Sequence, residues 1–395
     1  MRLLTCLIPA GCLILRAADN NALQTPYTVH EWGTFTSIAG VNGTALEWQP
    51  FGGPSDLPCF VHRFQVGFKA NLAGKVRMET PVIYFYSPHA MTASVHVTFP
   101  NGYITEWYPR ANQVARHLGS GSVFDYPNWP KQDPHTREPR KGEPDSIEWP
   151  QVKIDPQTSP KYPFQFEASH YYAARSTDSV PLAAGGETEK FLFYRGVGEF
   201  QPPIAVESVA GDRLRIRNLA RNALPAAIVF QNTTGKINYR SLGALNGEVT
   251  IEIPKTDADL AALKVDLERI LTVQGLFPRE AHAMVETWGD SWFEEGARVF
   301  YILAASEVES ILPLQIEPRP DRIARVFVGR VEVITRETRN VITSAIEHGD
   351  RKTLEKYGRF LEPIARGFPG SGLVHDIAEK YIRLETACGT GDKEW

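Results

Sequence analysis

Residues 94–108 read SVHVTFPNGYITEWY. Val95, Val97 and Phe99 alternate with polar neighbours, the period of a strand with one buried face. A second run, Tyr103 to Tyr108, follows Pro100-Asn101-Gly102. Asn-Gly between two such runs predicts a β-hairpin, because both turn positions tolerate positive φ.

The same signal extends in both directions. Upstream, Lys75 to Ser87 (KVRMETPVIYFYS) is a further strand region, where Pro81 calls for an edge, a bulge or a break. Downstream, residues 112–146 are rich in Pro, Gly and charge and read as a loop or linker, with Tyr126 and Trp129 placed to fold down as a lid. Strand signals resume over 147–254. Lys190 to Arg195 reads as a buried strand, 205–219 as a hairpin around Gly211-Asp212, and 226–239 as a hairpin around Thr234-Gly235. Many short strands at this spacing predict a mainly β chain with an antiparallel, sandwich-like body in two β regions, 26–111 and 147–254, as one sandwich or two.

The pattern changes after Pro254. Leu260, Leu263, Leu267, Ile270 and Leu271 recur at the helical period, with Thr256 or Asp257 as N-cap and Gly275 as terminator. Pro278 opens a second helix reaching as far as Glu295. Strands at 299–303 and 323–334 and helices at 335–347 and 352–364 complete a mixed α+β region over 255–395.

Residues 1–18, MRLLTCLIPAGCLILRAA, have a basic start, a short apolar run and small residues at the end, the plan of a cleavable secretory leader. A leader of this kind places the mature chain in the periplasm or outside the cell. Nothing later is long and apolar enough for a membrane-spanning helix. Removing residues 1–18 leaves 40 basic and 46 acidic residues, a net charge of -6, which offers no footprint for nucleic acid. Cys6 and Cys12 leave with the leader. Cys59 and Cys388 then either pair, as an oxidising compartment permits, or stand as separate thiols.

Four constellations carry chemical potential. On the helix from Pro278, His282, Glu286, Asp290, Glu294 and Arg298 recur every four residues. Like charges stacked at that spacing oppose the helix unless a cation compensates, and a bound divalent metal would do so as well as His282 or Arg298. Glu286, Asp290, Glu294 and Glu295 are therefore candidate catalytic acids or bases, and His282, Glu286 and Asp290 candidate metal ligands; the plain alternative is a solvated acidic face. Glu-Trp pairs at 31–32, 47–48, 106–107 and 148–149 put a carboxylate beside an indole, so that Trp107 and its counterparts are either sugar platforms or core anchors. His30 and Glu31 diverge on a strand, and either is free to meet a distant partner. Finally, His170, Tyr171, Tyr172, Arg175, Tyr194 and Arg195 form a set suited to an anionic or sugar-acid ligand, or to stacking of Arg on Tyr.

Thr287 to Gly296 (TWGDSWFEEG) resembles one stretch of the gluzincin aminopeptidases, which implies a zinc ligand at Glu295. The two histidine positions of that family hold Thr272 and Leu276 here, so the imidazoles of a zinc site are missing. No nucleophile elbow, Walker loop or dinucleotide fingerprint occurs. VHEWGTFTS at 29–37, VRMETPVIYFYS at 76–87, ITEWYPRA at 104–111, HYYAARSTD at 170–178, KFLFYRGVG at 190–198 and SWFEEGARVFYI at 291–302 together resemble a family of exported bacterial proteins. The resemblance implies export and no particular activity.

Two functional classes follow. One is an extracytoplasmic hydrolase or lyase of envelope or environmental polymers, working by carboxylate or metal-assisted acid–base chemistry. The other is a non-catalytic module that binds glycan or protein. The catalytic class requires His30, Glu79, Glu106 or His170 to meet the acidic helix in one cleft. Export should remove residues 1–18, and the intact mass of the exported chain, expected to start at Asp19, checks this.

Overall fold

The computed structural model describes residues 26–49, 57–63, 72–116, 135–137, 139–165, 169–210, 212–255, 258–366 and 372–383. The expected leader, Tyr126, Trp129, Thr256, Asp257, Cys6, Cys12 and Cys388 lie outside these residues.

The largest sheet has nine strands, in the order Lys236–Leu245, Leu224–Thr233, Gly296–Ile302, Arg322–Val333, Thr28–Ala39, Val76–Tyr86, Leu192–Gly198, Gly102–Tyr108 and His62–Arg63. Thr28–Ala39 lies at its centre and is buried at all twelve positions. It runs antiparallel to Val76–Tyr86 and parallel to Arg322–Val333, with Thr28 opposite Arg322 and Ala39 opposite Val333. The body is thus mainly β as expected, with one parallel pair in its middle. Pro81 falls at a register shift between Trp32 and Thr34 on the neighbouring strand, so the bulge among the three alternatives is the one adopted.

Each face of this sheet buries a different partner. Val29, Phe35, Phe85, Trp107 and Tyr194 pack against Val95, Val97 and Trp149 of a seven-stranded sheet and against Val206 and Ile216 of a three-stranded one. On the opposite face, Trp32, Tyr84, Phe193 and Phe300 pack under the helices Leu260–Val273 and Pro278–Thr287. Ile38 and Trp48 pack under the C-terminal helices through Ile342, Leu354, Leu361 and Ile377.

The first hairpin expectation is corrected. Met91–Phe99 pairs with Asp145–Ile154 and Leu314–Glu317, whereas Gly102–Tyr108 pairs with Leu192–Gly198 and His62–Arg63. The turn at Pro100-Asn101 therefore carries the chain from one sheet of the sandwich to the other. Both strands have an apolar face for one shared core, and alternation alone does not distinguish that arrangement from a hairpin. The other two hairpins form as read, and Thr234 (φ 52°) with Gly235 (φ 87°) shows the paired positive φ of a tight two-residue turn. The 112–146 stretch is not wholly loop, since Gln113–Ala115 pairs with Thr136–Arg137 and with the strand Asp145–Ile154.

The helices also depart from the reading. Asp259 caps the first one, accepting from the Ala261 N–H at 3.0 Å. The second stops at Thr287, and a single turn, Gly289–Trp292, follows. The segment expected over 352–364 is divided into Arg351–Glu355, Gly358–Phe360 and Leu361–Ala365. No helix among the described residues is long and apolar enough to cross a membrane. Cys59 is disulfide-bonded, and Gln165 holds it through the Cys59 N–H at 2.7 Å and the sulfur at 3.1 Å.

Glu31 is an ion inside the sandwich. Its carboxylate accepts the Tyr194 hydroxyl and the Arg325 Nε, the latter at 2.5 Å, and it is fully buried. Arg325 comes from the parallel partner strand and also donates to the Leu312 carbonyl at 2.6 Å. Removing one partner of a buried pair leaves an uncompensated charge, so Arg325→Met should cost about 3–5 kcal/mol. Urea unfolding checks this; a loss under about 1 kcal/mol, typical of surface pairs, would contradict it.

Candidate functional site

Break of the Pro278 helix at Trp288 disperses the acidic stripe. Glu286 accepts from Lys264 on the neighbouring helix at 2.8 Å, and that hydrogen bond holds its carboxyl below the ordinary range. Asp290 reaches His170 at 2.9 Å. Glu294 pairs with Arg330 at 3.1 Å and Glu295 with Lys356 at 3.4 Å. His282 turns to Glu268 at 2.8 Å. Each candidate acid or base thus has its own basic partner, and Glu286, held in its charged form by Lys264, is a poor proton donor. His282, Glu286 and Asp290 do not share a site, and no cluster of three metal-ligating side chains occurs among the described residues.

The proposed substrate-binding set is also partly interior. Tyr194 is spent on Glu31. Arg195 and Trp107 are buried, Arg195 over the Phe193 ring at 5.9 Å and Trp107 stacked with His62 at 6.3 Å. Arg175 and Tyr171 converge on buried Glu189: the guanidinium donates at 2.6–3.1 Å and the phenol at 3.0 Å. Arg175 also lies over the Tyr172 and Tyr171 rings at 5.1 and 5.5 Å, so Arg-on-Tyr stacking is what the structure adopts. Of that set, His170 and Tyr172 are half-buried. His170 stacks on Trp288 at 6.0 Å, and the Tyr172 hydroxyl meets the Gln165 backbone. Trp32, Trp48, Trp107 and Trp149 of the Glu-Trp pairs are all core anchors, not sugar platforms.

His30 does find a distant partner on the Pro278 helix, away from the stripe. Its Nδ1 lies 2.6 Å from Glu280 Oε2, and the same oxygen accepts the Phe277 N–H at 2.8 Å. Glu280 occupies the third helical position, where an acidic side chain naturally turns back to the helix start. The imidazole is flanked by Phe277 at 4.5 Å and Tyr86 at 5.4 Å. Burial first, and then the Glu280 charge, push the Tyr86 hydroxyl far up, so it stays protonated. Glu280 is fully buried, while 5% of the His30 side chain remains exposed. The other histidine–carboxylate pairs among the described residues, at His62–Glu187, His170–Asp290 and His282–Glu268, all lie nearer solvent. The Asp178–Arg279 pair stands at the exposed rim, close enough for both charges to act on Tyr86.

His30 meets the Pro278 helix itself, at Glu280, but no common cleft with the acidic stripe forms: His170 meets Asp290, ten residues on and beyond the end of that helix, so chemistry at the stripe is lost and contact with the helix at Glu280 is what remains. Glu106 accepts from its neighbour Thr105 at 2.5 Å. Glu79 lies beneath the C-terminal helices with Arg359 at 2.9 Å. Sequence reasoning missed Glu280 and Tyr86. The signal for Glu280 was present in its place two residues after Pro278; nothing local marked Tyr86.

A buried charged strip separates the two helix-covered clusters. Thr34 faces Glu79, Thr36 faces Arg330, and Glu332 is held by Arg298 at 2.8 Å and Arg330 at 2.7 Å. Burial disfavours the charged form of Glu79, but Arg359, Arg77, Arg330 and Arg195 outweigh it and hold the carboxyl down. Glu332 is held down in the same way by Arg298 and Arg330.

No family model and no curated protein matches the chain. Among solved structures it is similar to the yeast delta-COP-I mu-homology domain, at 7% identity and a TM-score of 0.28, covering 79% of this chain and 98% of that one. The same domain complexed with the Dsl1 WxWxV peptide gives 9% identity and a TM-score of 0.26, covering 79% of this chain and 99% of the other. TM-scores this low carry neither a common fold nor a function.

Carboxyls whose folded values lie below their unfolded values stabilise the fold above the ordinary range, and that stabilisation is lost as pH falls through the folded values. The melting temperature should therefore fall steeply below about pH 4.5 as Glu79 and Glu332 take up protons. Glu79→Gln should lower it at neutral pH and flatten the acid limb. Calorimetry across the acid range checks both, and an unchanged acid limb in the variant would count against the strip as its cause.

Proposed function

We propose that this chain is an extracytoplasmic hydrolase or lyase in which His30 transfers the proton and Glu280 orients it. The observation that carries the reading is the His30–Glu280 contact of 2.6 Å, with Glu280 fully buried and 5% of the His30 side chain exposed. A carboxylate on Nδ1 fixes the tautomer in which Nε2 accepts a proton, and it stabilises the imidazolium that forms. The Phe277 N–H fixes the carboxylate in turn, and the Phe277 and Tyr86 rings restrict the imidazole plane. Arg279, exposed at the rim where it pairs with Asp178, offers a guanidinium to an anionic group of the substrate. The extracytoplasmic setting rests on the leader and on the resemblance to exported proteins, and a polymer is the class of substrate that such a setting offers.

The rival reading is a non-catalytic glycan- or protein-binding module. It is favoured by Phe164, 66% exposed and 4.9 Å from the Tyr172 ring, an aromatic surface of the kind such modules use.

Screening the leader-free protein against polysaccharide, peptidoglycan and polyester substrates should reveal cleavage or elimination. His30→Gln should then lower kcat by roughly 10²–10⁴, the usual share of a positioned acid or base, with the melting transition retained. Full activity in a folded His30→Gln variant would remove His30 from the mechanism. Glycan binding without turnover would transfer the assignment to the binding module.

A further inference from the structure

The strand Ile204–Val209 is the edge of the three-stranded sheet, paired on one side with Arg213–Asn218. The Val206 N–H donates away from that partner, to the Gly43 carbonyl at 3.0 Å. Backbone groups alternate sides along an antiparallel strand, so those of Ser208, two residues on, point the same way. The loop that covers the edge at Val206 does not extend its pairing to Ser208, whose N–H and C=O have no backbone partner among the described residues beyond the ladder.

Ser208 faces a groove of about 350 Å³ between the ends of Thr28–Ala39 and Arg322–Val333 and the start of the helix Arg336–His348. Val41, Val206 and Val333 line it with apolar surface, and Arg336 and Arg339 with positive charge. Val41 is 77% exposed, which a polar loop tip would not require. The two arginines occupy the first turns of a thirteen-residue helix, the end where cations are disfavoured by the helix dipole and anions favoured. An anion in the groove would meet the Arg336 guanidinium and the helix start together, beside Glu337, the acidic residue of that first turn.

We infer that this groove binds the C-terminal end of an extended peptide. The exposed edge at Ser208 takes one residue by β-strand addition, the apolar wall takes its side chains, and the terminal carboxylate sits at Arg336 and the helix start. The volume lies at the small end of the ~300–1,000 Å³ range of ligand pockets, so a chain end of a few residues fits and a long strand does not. Charge selects the carboxylate terminus over the amino terminus. This binding is independent of His30, which lies at the opposite end of the central strand.

The test uses the full leader-free protein and a random hexapeptide library with free C-termini, followed by fluorescence anisotropy on the enriched sequences. Amidation of the terminal carboxylate should weaken binding roughly tenfold or more, the scale of one charge-assisted contact. Arg336→Glu should do the same, and Arg336→Lys less. Ser208→Pro, which removes the edge N–H, should also weaken binding; if that variant does not fold, the Arg336 series stands alone. Equal binding of acid and amide, or full binding by a folded Arg336→Glu variant, overturns the inference. So does a library with no enriched sequence, including the case in which octanoate alone occupies the groove as a small amphiphile.

Discussion

Twelve consecutive residues, Thr28 to Ala39, are buried without exception, paired along their whole length with Arg322–Val333 and, from Thr28 to Thr36, with Val76–Tyr86 as well. Their parallel ladder to Arg322–Val333 joins segments separated by almost the whole described chain. Loop closure over such a distance costs conformational entropy before any contact compensates for it. The compensation is broad: one face of the strand completes the sandwich core and the other supports the helices. The Glu31–Arg325 pair crosses the same ladder and fixes its register by charge, since a shift of one residue would move each ion to the wrong face.

The two faces of that strand also divide the chemistry. Val29, Glu31 and Phe35 face the second sheet, where Glu31 is a structural ion. His30, Trp32, Thr34 and Thr36 share the opposite face, where polar and apolar surface alternate along the sheet. His30 meets Glu280 near the start of the strand, Trp32 anchors the apolar cluster, and Thr34 and Thr36 enter the charged strip. A strand whose alternate residues serve the His30–Glu280 pair, a core and an ion network cannot shift without losing all three.

The strip of buried Arg298, Arg330, Glu79 and Glu332, with half-buried Arg359 at its edge, is an expensive way to join helices to a sheet, because each buried ion loses its hydration. What it supplies is a fixed arrangement. Arg330 reaches Glu332 and Glu294 together, and it lies over Phe360 at 5.1 Å, as does Arg359 at 4.9 Å. The charges therefore tie the end of the Pro278 segment and the C-terminal helices to one position on the sheet, a specificity that apolar packing alone supplies less sharply.

Local pattern was enough to read the mainly β body, an irregularity at Pro81 whose kind it left open, the two hairpins at Asp212 and Thr234-Gly235, and the periodic helix from Leu260. Each of these rests on neighbours within a few residues: alternation, a turn that permits positive φ, or an apolar stripe. The sequence also contained a histidine in want of a distant partner and an acidic residue placed to turn back on a helix start. It could not state that these two residues, 250 positions apart, would meet. Nor could it show that 94–108 spans two sheets, or that each carboxylate of the apparent stripe would turn to a different basic side chain. Strand order and ion pairing are decided by contacts between segments far apart in the chain, and periodicity carries no information about which segment lies opposite. Tertiary structure alone decided that the acidic face is dispersed among separate basic partners, that the indoles are interior, and that His30 is the imidazole held by a buried carboxylate.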